Sequence, residues 1–247
     1  MGLGMSQRRA FPKPSRAFCD MKVDKMERFS TPEIHASYSR DGFVVLRGYL
    51  LDTELEILRR ETERRMEGYK WYPGYEGLRK NLQRGDAFFG NWLVYGSHKP
   101  LLAWLVEDDV VPGWGVAYFD KPLGCSSPVA PHRDGGGPVG GATIWVALDN
   151  ADLGNGCMHY TPGSHLTVDP SKDVFDFTVT PEETACAIPV ETVAGDAIVH
   201  SQRCVHFSKG SGEPRRRRAV SAMYWDATSY HALEARGKIV PGGQAVL

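Results

Sequence analysis

The rhythm of apolar positions changes near Gly113: before it the spacing suits helices, and after it short alternating or continuous apolar runs take over. Ser30-Thr31-Pro32-Glu33 reads as a helix start, a hydroxyl N-cap followed by proline at the first helical position. That helix is predicted to stop at Asp41-Gly42, and Phe43 to Leu46 then reads as a short buried strand. Asp52-Thr53 is predicted to cap a second helix reaching Met66, with Leu55, Leu58 and Met66 facing inward among many charges. Glu67 to Asn91 is rich in aromatics, glycine and arginine and has no clear period. It is predicted as a long irregular segment, which in a compact domain is often functional.

Beyond Gly113 the apolar runs are Gly115–Phe119, Ala142–Leu148, Cys157–Thr161, Ala185–Val193, Ala197–His200, Cys204–Ser208 and Ala219–Trp225, separated by Gly, Pro, Asp and Asn. Several short strands at this spacing predict an all-β sandwich or barrel. A single domain over 26–247 is expected: a helical portion at 30–110, a β core at 113–226 and a loop-like tail after Ala232. The segment Met1–Cys19 carries Arg8, Arg9, Lys13 and Arg16 with no acidic residue and no apolar signal core. Residues 1–25 are therefore expected to be a disordered leader, with a basic transit peptide as the alternative.

Composition narrows the function. The chain has 247 residues, 42% hydrophobic and 24% charged, ample for a sizeable core. A formal net charge of -1 supplies no field to attract nucleic acid or an anionic membrane. No run approaches the roughly 18 apolar residues that span a bilayer. The five scattered cysteines contain no CxxC pair and read as reduced thiols. The expectation is a cytoplasmic protein with no nucleic-acid or membrane partner.

The chemistry-bearing residues lie in the β half. His132 and Asp134 end a short strand and open the glycine-rich loop 135–141. Residues two apart on extended backbone share a side, so they can occupy adjacent positions around one metal ion. A third ligand from elsewhere completes a facial triad with open positions, the signature of a non-haem iron(II) site. Alone the HxD pair is a weak signal. Further on, Gly195-Asp196 turns into a strand, His206 and Ser208 share a strand face, and Arg217 follows eleven residues after His206. A buried arginine can bind a carboxylate bidentately, as a dicarboxylate cosubstrate requires. Alternation turns Arg217 opposite to Arg216 and Arg218, with Arg218 the runner-up for the inward role. His200 competes with His206 as third ligand, but the register of Ser208 and Arg217 favours His206 and leaves His200 a structural or ligand-supporting role.

With these pieces in order, the chain resembles the phytanoyl-CoA dioxygenase-like group of iron(II)/2-oxoglutarate oxygenases. The matching stretches are Arg40 through Gly48, Phe119 through Gly124, Trp145 through Asp149, Asn155-Gly156-Cys157, Pro162 through His165, and Gly195-Asp196 through Ala219. The resemblance lapses over much of Glu67–Glu107. It implies a mainly β fold with flanking α-helices, a double-stranded β-helix (jelly-roll, cupin-like) core. It also implies that His132, Asp134 and His206 bind Fe(II), and that Arg217 and Ser208 hold the far carboxylate of 2-oxoglutarate, with O2 as co-reactant. Halogenating relatives replace the carboxylate that stands here as Asp134, so hydroxylation or a related oxidation is implied instead.

Substrate residues are less defined. Trp145 reads either as core or, by resemblance, as a neighbour of cosubstrate and substrate. His159 either points into the barrel and touches substrate or is a satisfied strand histidine. Trp71 and Tyr75 sit in an aromatic cluster that reads equally as a substrate lid or as packing. His165 reads as a turn residue, and His35, His98 and His231 as surface or locally bonded groups. The loop after Asp134 is short beside the family's usual connection, which implies a wider mouth for a bulky substrate. The expected activity is hydroxylation of a C–H bond in a small organic molecule, such as a secondary metabolite, with succinate and CO2 as co-products. Desaturation, cyclisation, epimerisation and epoxidation are alternatives within the same chemistry. A non-catalytic metal-binding barrel and a nucleic-acid oxygenase using Arg215–Arg218 are rivals outside it.

Overall fold

The two rhythms of the sequence become two layers of structure. The computed structural model describes residues 16–21, 24–69, 77–122, 127–137, 139–169, 171, 176, 178–240 and 244–245. Its principal strands are β1 (Phe43–Leu46), β2 (Leu78–Arg79), β3 (Val110–Lys121), β4 (Val129–His132) and β5 (Gly141–Ala147). They continue as β6 (Met158–Tyr160), β7 (Ile188–Val190), β8 (Ala197–Ser201), β9 (His206–Ser208) and β10 (Arg217–Asp226). A six-stranded sheet runs β1-β8-β5-β10-β3-β2 and a four-stranded sheet runs β4-β9-β6-β7, with antiparallel pairing throughout. These are the two sheets of the expected double-stranded β-helix. The apolar run expected over Ala185–Val193 shrinks to β7, because Thr180 caps a short helix, Pro181–Ala185, ahead of it.

Alternation explains why β5 is buried along its whole length. Ala142, Ile144 and Val146 join the core beneath the helices, while Trp145 and Ala147 turn into the space between the sheets. The helical layer packs on the outer face of the large sheet through Phe88, Phe89, Leu101, Leu102 and Leu105. The first expected helix spans Pro32–Asp41, with Thr31 accepting from Ile34 N at 3.4 Å and Gly42 closing it at φ 79°. The second spans Asp52–Met66, but its cap is Leu51, whose N–H donates to Glu54 Oε2 at 2.9 Å, and not Asp52.

Three expectations are corrected. The irregular stretch expected from Glu67 to Asn91 gives way to a helix at Ala87–Tyr95, capped by Asp86. Phe88, Phe89, Trp92 and Leu93 are all buried, so this helix is apolar around its circumference and shows no amphipathic period. The tail after Ala232 is not a loop. Asp226 caps a helix over Ala227–Ala235, and Tyr230 and Leu233 pack on Val139 and Trp225. The leader expected to extend to residue 25 is already folded at Arg16–Cys19. Phe18 and Met21 are buried there, and Lys25 is sealed in an ion pair with Glu54 at 2.6 Å. Burying each of the two apolar side chains contributes about 1.5–3 kcal/mol toward holding this segment on the helical layer. No helix among the described residues is long and apolar enough to cross a membrane.

Candidate metal centre

The four-stranded sheet pairs His132 on β4 directly with His206 on β9. Asp134 follows β4 by two residues, and its backbone N–H is pinned by Gln202 O at 2.9 Å. Their side chains converge: one ligand atom from each of His132, Asp134 and His206 lies within 4.8 Å of the others. Asp134 Oδ1 stands 3.8 Å from Nε2 of both imidazoles.

Each donor is aimed by a second contact. His132 Nδ1 donates to Ala130 O at 2.8 Å and His206 Nδ1 to Cys204 O at 3.0 Å. Those bonds place the proton on Nδ1 and leave the Nε2 lone pairs facing the gap, the arrangement metal-binding histidines use. Asp134 Oδ2 accepts from Thr143 Oγ1 at 2.7 Å and from His200 Nε2 at 3.2 Å, which leaves Oδ1 pointing inward. His200 is in turn held by Tyr160 Oη at 3.0 Å. Burial alone would raise the Asp134 carboxyl, but His206, His200 and His132 around it hold it well below the usual carboxylate range. Burial, then the neighbouring imidazoles of His132 and His200, push His206 well below the ordinary histidine value. Asp134 is thus set as a carboxylate and His206 as a neutral imidazole, the protonation that metal binding needs. Between the two candidate ligands, Arg133 turns away to pair with Glu183 and donate to Arg203 O and Thr178 O.

A cavity of about 350 Å³ opens beside this cluster, between the two sheets. Arg217 projects into it from the start of β10 and is 1% exposed. Its Nη2 donates to Ser208 Oγ at 3.3 Å, while Nε and Nη1 are buried with no hydrogen-bond partner. Burial pushes its guanidinium down to about 10, so it still carries its charge at neutral pH. An unpaired buried cation costs several kcal/mol, so this end of the cavity is built for an anion. Trp145 lies against it, with the guanidinium carbon 5.6 Å from the ring centroid. The flanking arginines face outward and are each paired: Arg215 with Asp152, Arg216 with Asp120, and Arg218 with Asp149 and Glu63.

The structure brings His132, Asp134, His206, Ser208, Arg217 and Trp145 to one cavity. It does not bring His159 there. His159 pairs with Phe207 across β6 and β9 and stacks on its ring at 4.9 Å, on the strand face opposite Met158, His206 and Ser208. Trp71 and Tyr75 lie outside the described residues. His98 is no surface group: it is buried, bonded to Tyr224 Oη at 2.6 Å, because its helix packs on the large sheet. The glycine-rich loop does not widen the mouth. Val139 is buried and Gly140 N donates to Ser229 Oγ at 2.8 Å, and a Cβ on Gly140 would meet Asp226 Oδ2 at 1.8 Å. Those glycines serve close packing against the C-terminal helix.

Thr143 and Tyr160 were missed as supports of Asp134 and His200. Thr143 was within reach, since it lies two residues from Trp145 and shares its inward face. Trp114, Leu78 and Lys80 also line the cavity and were missed; no sequence signal separates them from their neighbours.

The family model described as phytanoyl-CoA dioxygenase matches residues 117–219, a span that contains every residue of this cluster. Phytanoyl-CoA dioxygenase 1 of Oryza sativa subsp. japonica is 29% identical over 115 residues, which are 42% of this chain and 41% of that protein. The matched stretch thus covers about two fifths of the rice protein's length. The epimerase SnoN, solved with Fe3+, alpha ketoglutarate and nogalamycin RO, is similar with a TM-score of 0.68 and 26% identity over 90% of this chain and 92% of that one. AviO1 from Streptomyces viridochromogenes Tue57 gives 0.64 and 25% over 83% and 96%. The carbocyclase SnoK from nogalamycin biosynthesis shares the fold, with a TM-score of 0.69 and 20% identity over 96% of this chain and 97% of that one. Motif order, sheet topology and these likenesses agree: over its β core the chain is similar to the phytanoyl-CoA dioxygenase-like family.

Proposed function

We propose that this protein is an iron(II)- and 2-oxoglutarate-dependent oxygenase that hydroxylates a C–H bond of a small organic molecule. The observation that carries the reading is Arg217: a buried, charged side chain with two unpaired nitrogens, facing the same cavity as the convergent His132, Asp134 and His206. Two imidazoles and one carboxylate form the donor set of a facial iron(II) triad, and a dicarboxylate with one end on Arg217 and Ser208 satisfies the orphaned guanidinium. Iron, 2-oxoglutarate and O2 together supply an oxidant strong enough to break an aliphatic C–H bond, with succinate and CO2 as co-products.

The chain's own residues do the positioning. His132 and His206 present lone pairs fixed by Ala130 O and Cys204 O, and Asp134 presents one oxygen because Thr143 and His200 occupy the other. Arg217 and Ser208 fix the far carboxylate, and Trp145 walls the cosubstrate and keeps water from it. The apolar remainder of the cavity, including Phe119, Val129, Met158 and Met223, excludes solvent around the reacting carbon. A small-molecule substrate fits the enclosed cavity, and the pairing of Arg215, Arg216 and Arg218 with carboxylates removes the basic patch a nucleic acid would need. The helices share one core with the large sheet, so both layers act as a single oxygenase unit. The cysteines described, Cys19, Cys157, Cys186 and Cys204, are free thiols, which suits the cytoplasm.

A second reading, inversion of a stereocentre, is favoured by the likeness to an epimerase over nine tenths of the chain. Aerobic turnover of 2-oxoglutarate to succinate with candidate substrates, read by product mass, tests both. One added oxygen supports hydroxylation, and an unchanged mass with altered stereochemistry supports epimerisation. Absence of succinate formation with every iron-loaded preparation and substrate would remove both.

A further inference from the structure

β3 carries an irregularity that the iron and cosubstrate site does not need. In its pairing with β10, Met223 stands opposite Gly115 and Tyr224 opposite Pro112, so Gly113 and Trp114 lie in a bulge. Simple alternation from Phe119 and Ala117 would put Gly115 and Gly113 on the cavity face and Trp114 on the other. The bulge overturns this, and Trp114 lines the cavity beside Gly115. Gly115 has φ 93°, and a Cβ there would meet Gln83 Nε2 at 2.1 Å. Gln83 Oε1 accepts from Val116 N at 3.0 Å, and Leu82 N donates to Val116 O at 3.0 Å, so the distortion is bonded in place. Bulges beside sites commonly re-aim one side chain in this way.

The same strands mark out the cavity's length. Arg217 and Met223 both line it, and six residues of strand separate their backbones by about 20 Å. If Arg217 anchors the cosubstrate, the Met223 end is left for another molecule. That end is walled by Ala117, Met223 and Trp114, with Lys80 exposed at the cavity rim. Lys80 has no hydrogen bond or ion pair among the described residues. Among the described residues the only carboxylate lining the cavity is Asp134, already engaged by Thr143 and His200.

We propose that Trp114 and Lys80 form the substrate subsite, and that the substrate is a planar, mainly carbon ring system carrying an anionic group, a carboxylate or phenolate, at one edge. The ring lies against the Trp114 indole and Met223, and the anion reaches Lys80 at the rim. The inference rests on the cosubstrate reading of Arg217, because that assignment leaves the Met223 end vacant for substrate.

The test uses three probes: 2-naphthoate, its neutral methyl ester, and the non-planar anion cyclohexanecarboxylate. Each is titrated calorimetrically into the full chain loaded with Mn(II) and 2-oxoglutarate. The wild type is expected to bind 2-naphthoate about tenfold tighter than cyclohexanecarboxylate and about fivefold tighter than the ester. Trp114→Ala is expected to lose the ring preference, Trp114→Phe to keep most of it, and Lys80→Gln to lose only the preference for the anion. The dissociation constant for 2-oxoglutarate, measured in the same variants, is expected to stay within a factor of about two, since both residues lie away from Arg217. Equal affinity for the three probes, no saturable binding, or wild-type behaviour in both Trp114→Ala and Lys80→Gln would overturn the proposal. If 2-naphthoate instead competes with 2-oxoglutarate and is lost in Arg217→Met, the cosubstrate reading fails and the subsite falls with it. Intact 2-oxoglutarate binding alongside unselective probe binding sinks the subsite alone.

Discussion

The two ends of the cavity are made in different ways. From Arg217 to the metal ligands polar groups do the work: Ser208, Arg217, His132, Asp134 and His206 each have an orientation fixed by a second named contact or by burial. At the Trp114 end the shape comes from backbone irregularity and apolar packing, with the β3 bulge, Gly115 at positive φ and Lys80 at the rim. The difference teaches where each kind of property resides. Chemistry that requires charges at set distances is held by hydrogen-bonded pairs, which tolerate little change. Choice of substrate is held by strand geometry, which can be re-cut without touching the metal.

Perturbing the two ends separately sharpens that contrast. The largest effect is expected from Asp134→Ala or His132→Ala. Turnover of 2-oxoglutarate should fall by more than the roughly 100-fold that loss of an outer partner costs at a metal site. Arg217→Met is expected to raise the KM for 2-oxoglutarate by about 100-fold or more while leaving iron binding intact. Thermal melting of the unloaded Arg217→Met protein should stay level or rise, since an unpaired buried cation has been removed. A lowered melting temperature with an unchanged KM would show that the arginine is structural. His200→Phe frees Asp134 Oδ2 and is expected to weaken metal affinity by about 10- to 100-fold, measured by competition with a chelator.

The smallest effect lies outside the cavity and serves as its control. His98 is buried beside Tyr224, and burial lowers its pKa to about 3. Its native form is neutral, so its contribution to stability is complete above the unfolded value of about 6.5. That contribution is lost as pH falls from there through the folded value, at up to about 1.4 kcal/mol per pH unit. His98→Gln should flatten denaturant-derived stability between these pH values without altering affinity for 2-oxoglutarate. A slope as steep in the variant as in the wild type would put the titration elsewhere.

Legibility in the sequence follows the same division. His132, Asp134, His206, Ser208 and Arg217 could be read because strand alternation sets which residues share a face. The helix over Pro32–Asp41 was equally readable from Thr31, Pro32 and Gly42. The Ala87–Tyr95 helix was hidden because burial on all sides erases the period that would mark it. His159 stayed open between the barrel interior and a plain strand position because a three-residue strand gives no internal evidence of which face it turns inward. Trp114 lay beyond reach for the opposite reason: alternation gives a definite answer there, and the bulge makes that answer wrong. The pairing of Lys25 with Glu54, which draws the expected leader into the fold, joins residues 29 apart and leaves no local pattern.

The central claim is that three side chains on the β4–β9 side hold iron, while Arg217 on β10 holds the cosubstrate. Anaerobic calorimetric titration of Fe(II), with and without 2-oxoglutarate, measures both halves at once in the wild type, Asp134→Ala and Arg217→Met. The account predicts one iron per chain in the wild type, bound more tightly when 2-oxoglutarate is present. It predicts loss of iron in Asp134→Ala, and in Arg217→Met iron retained without enhancement by 2-oxoglutarate. Unaltered iron binding in Asp134→Ala, or full enhancement in Arg217→Met, would contradict it.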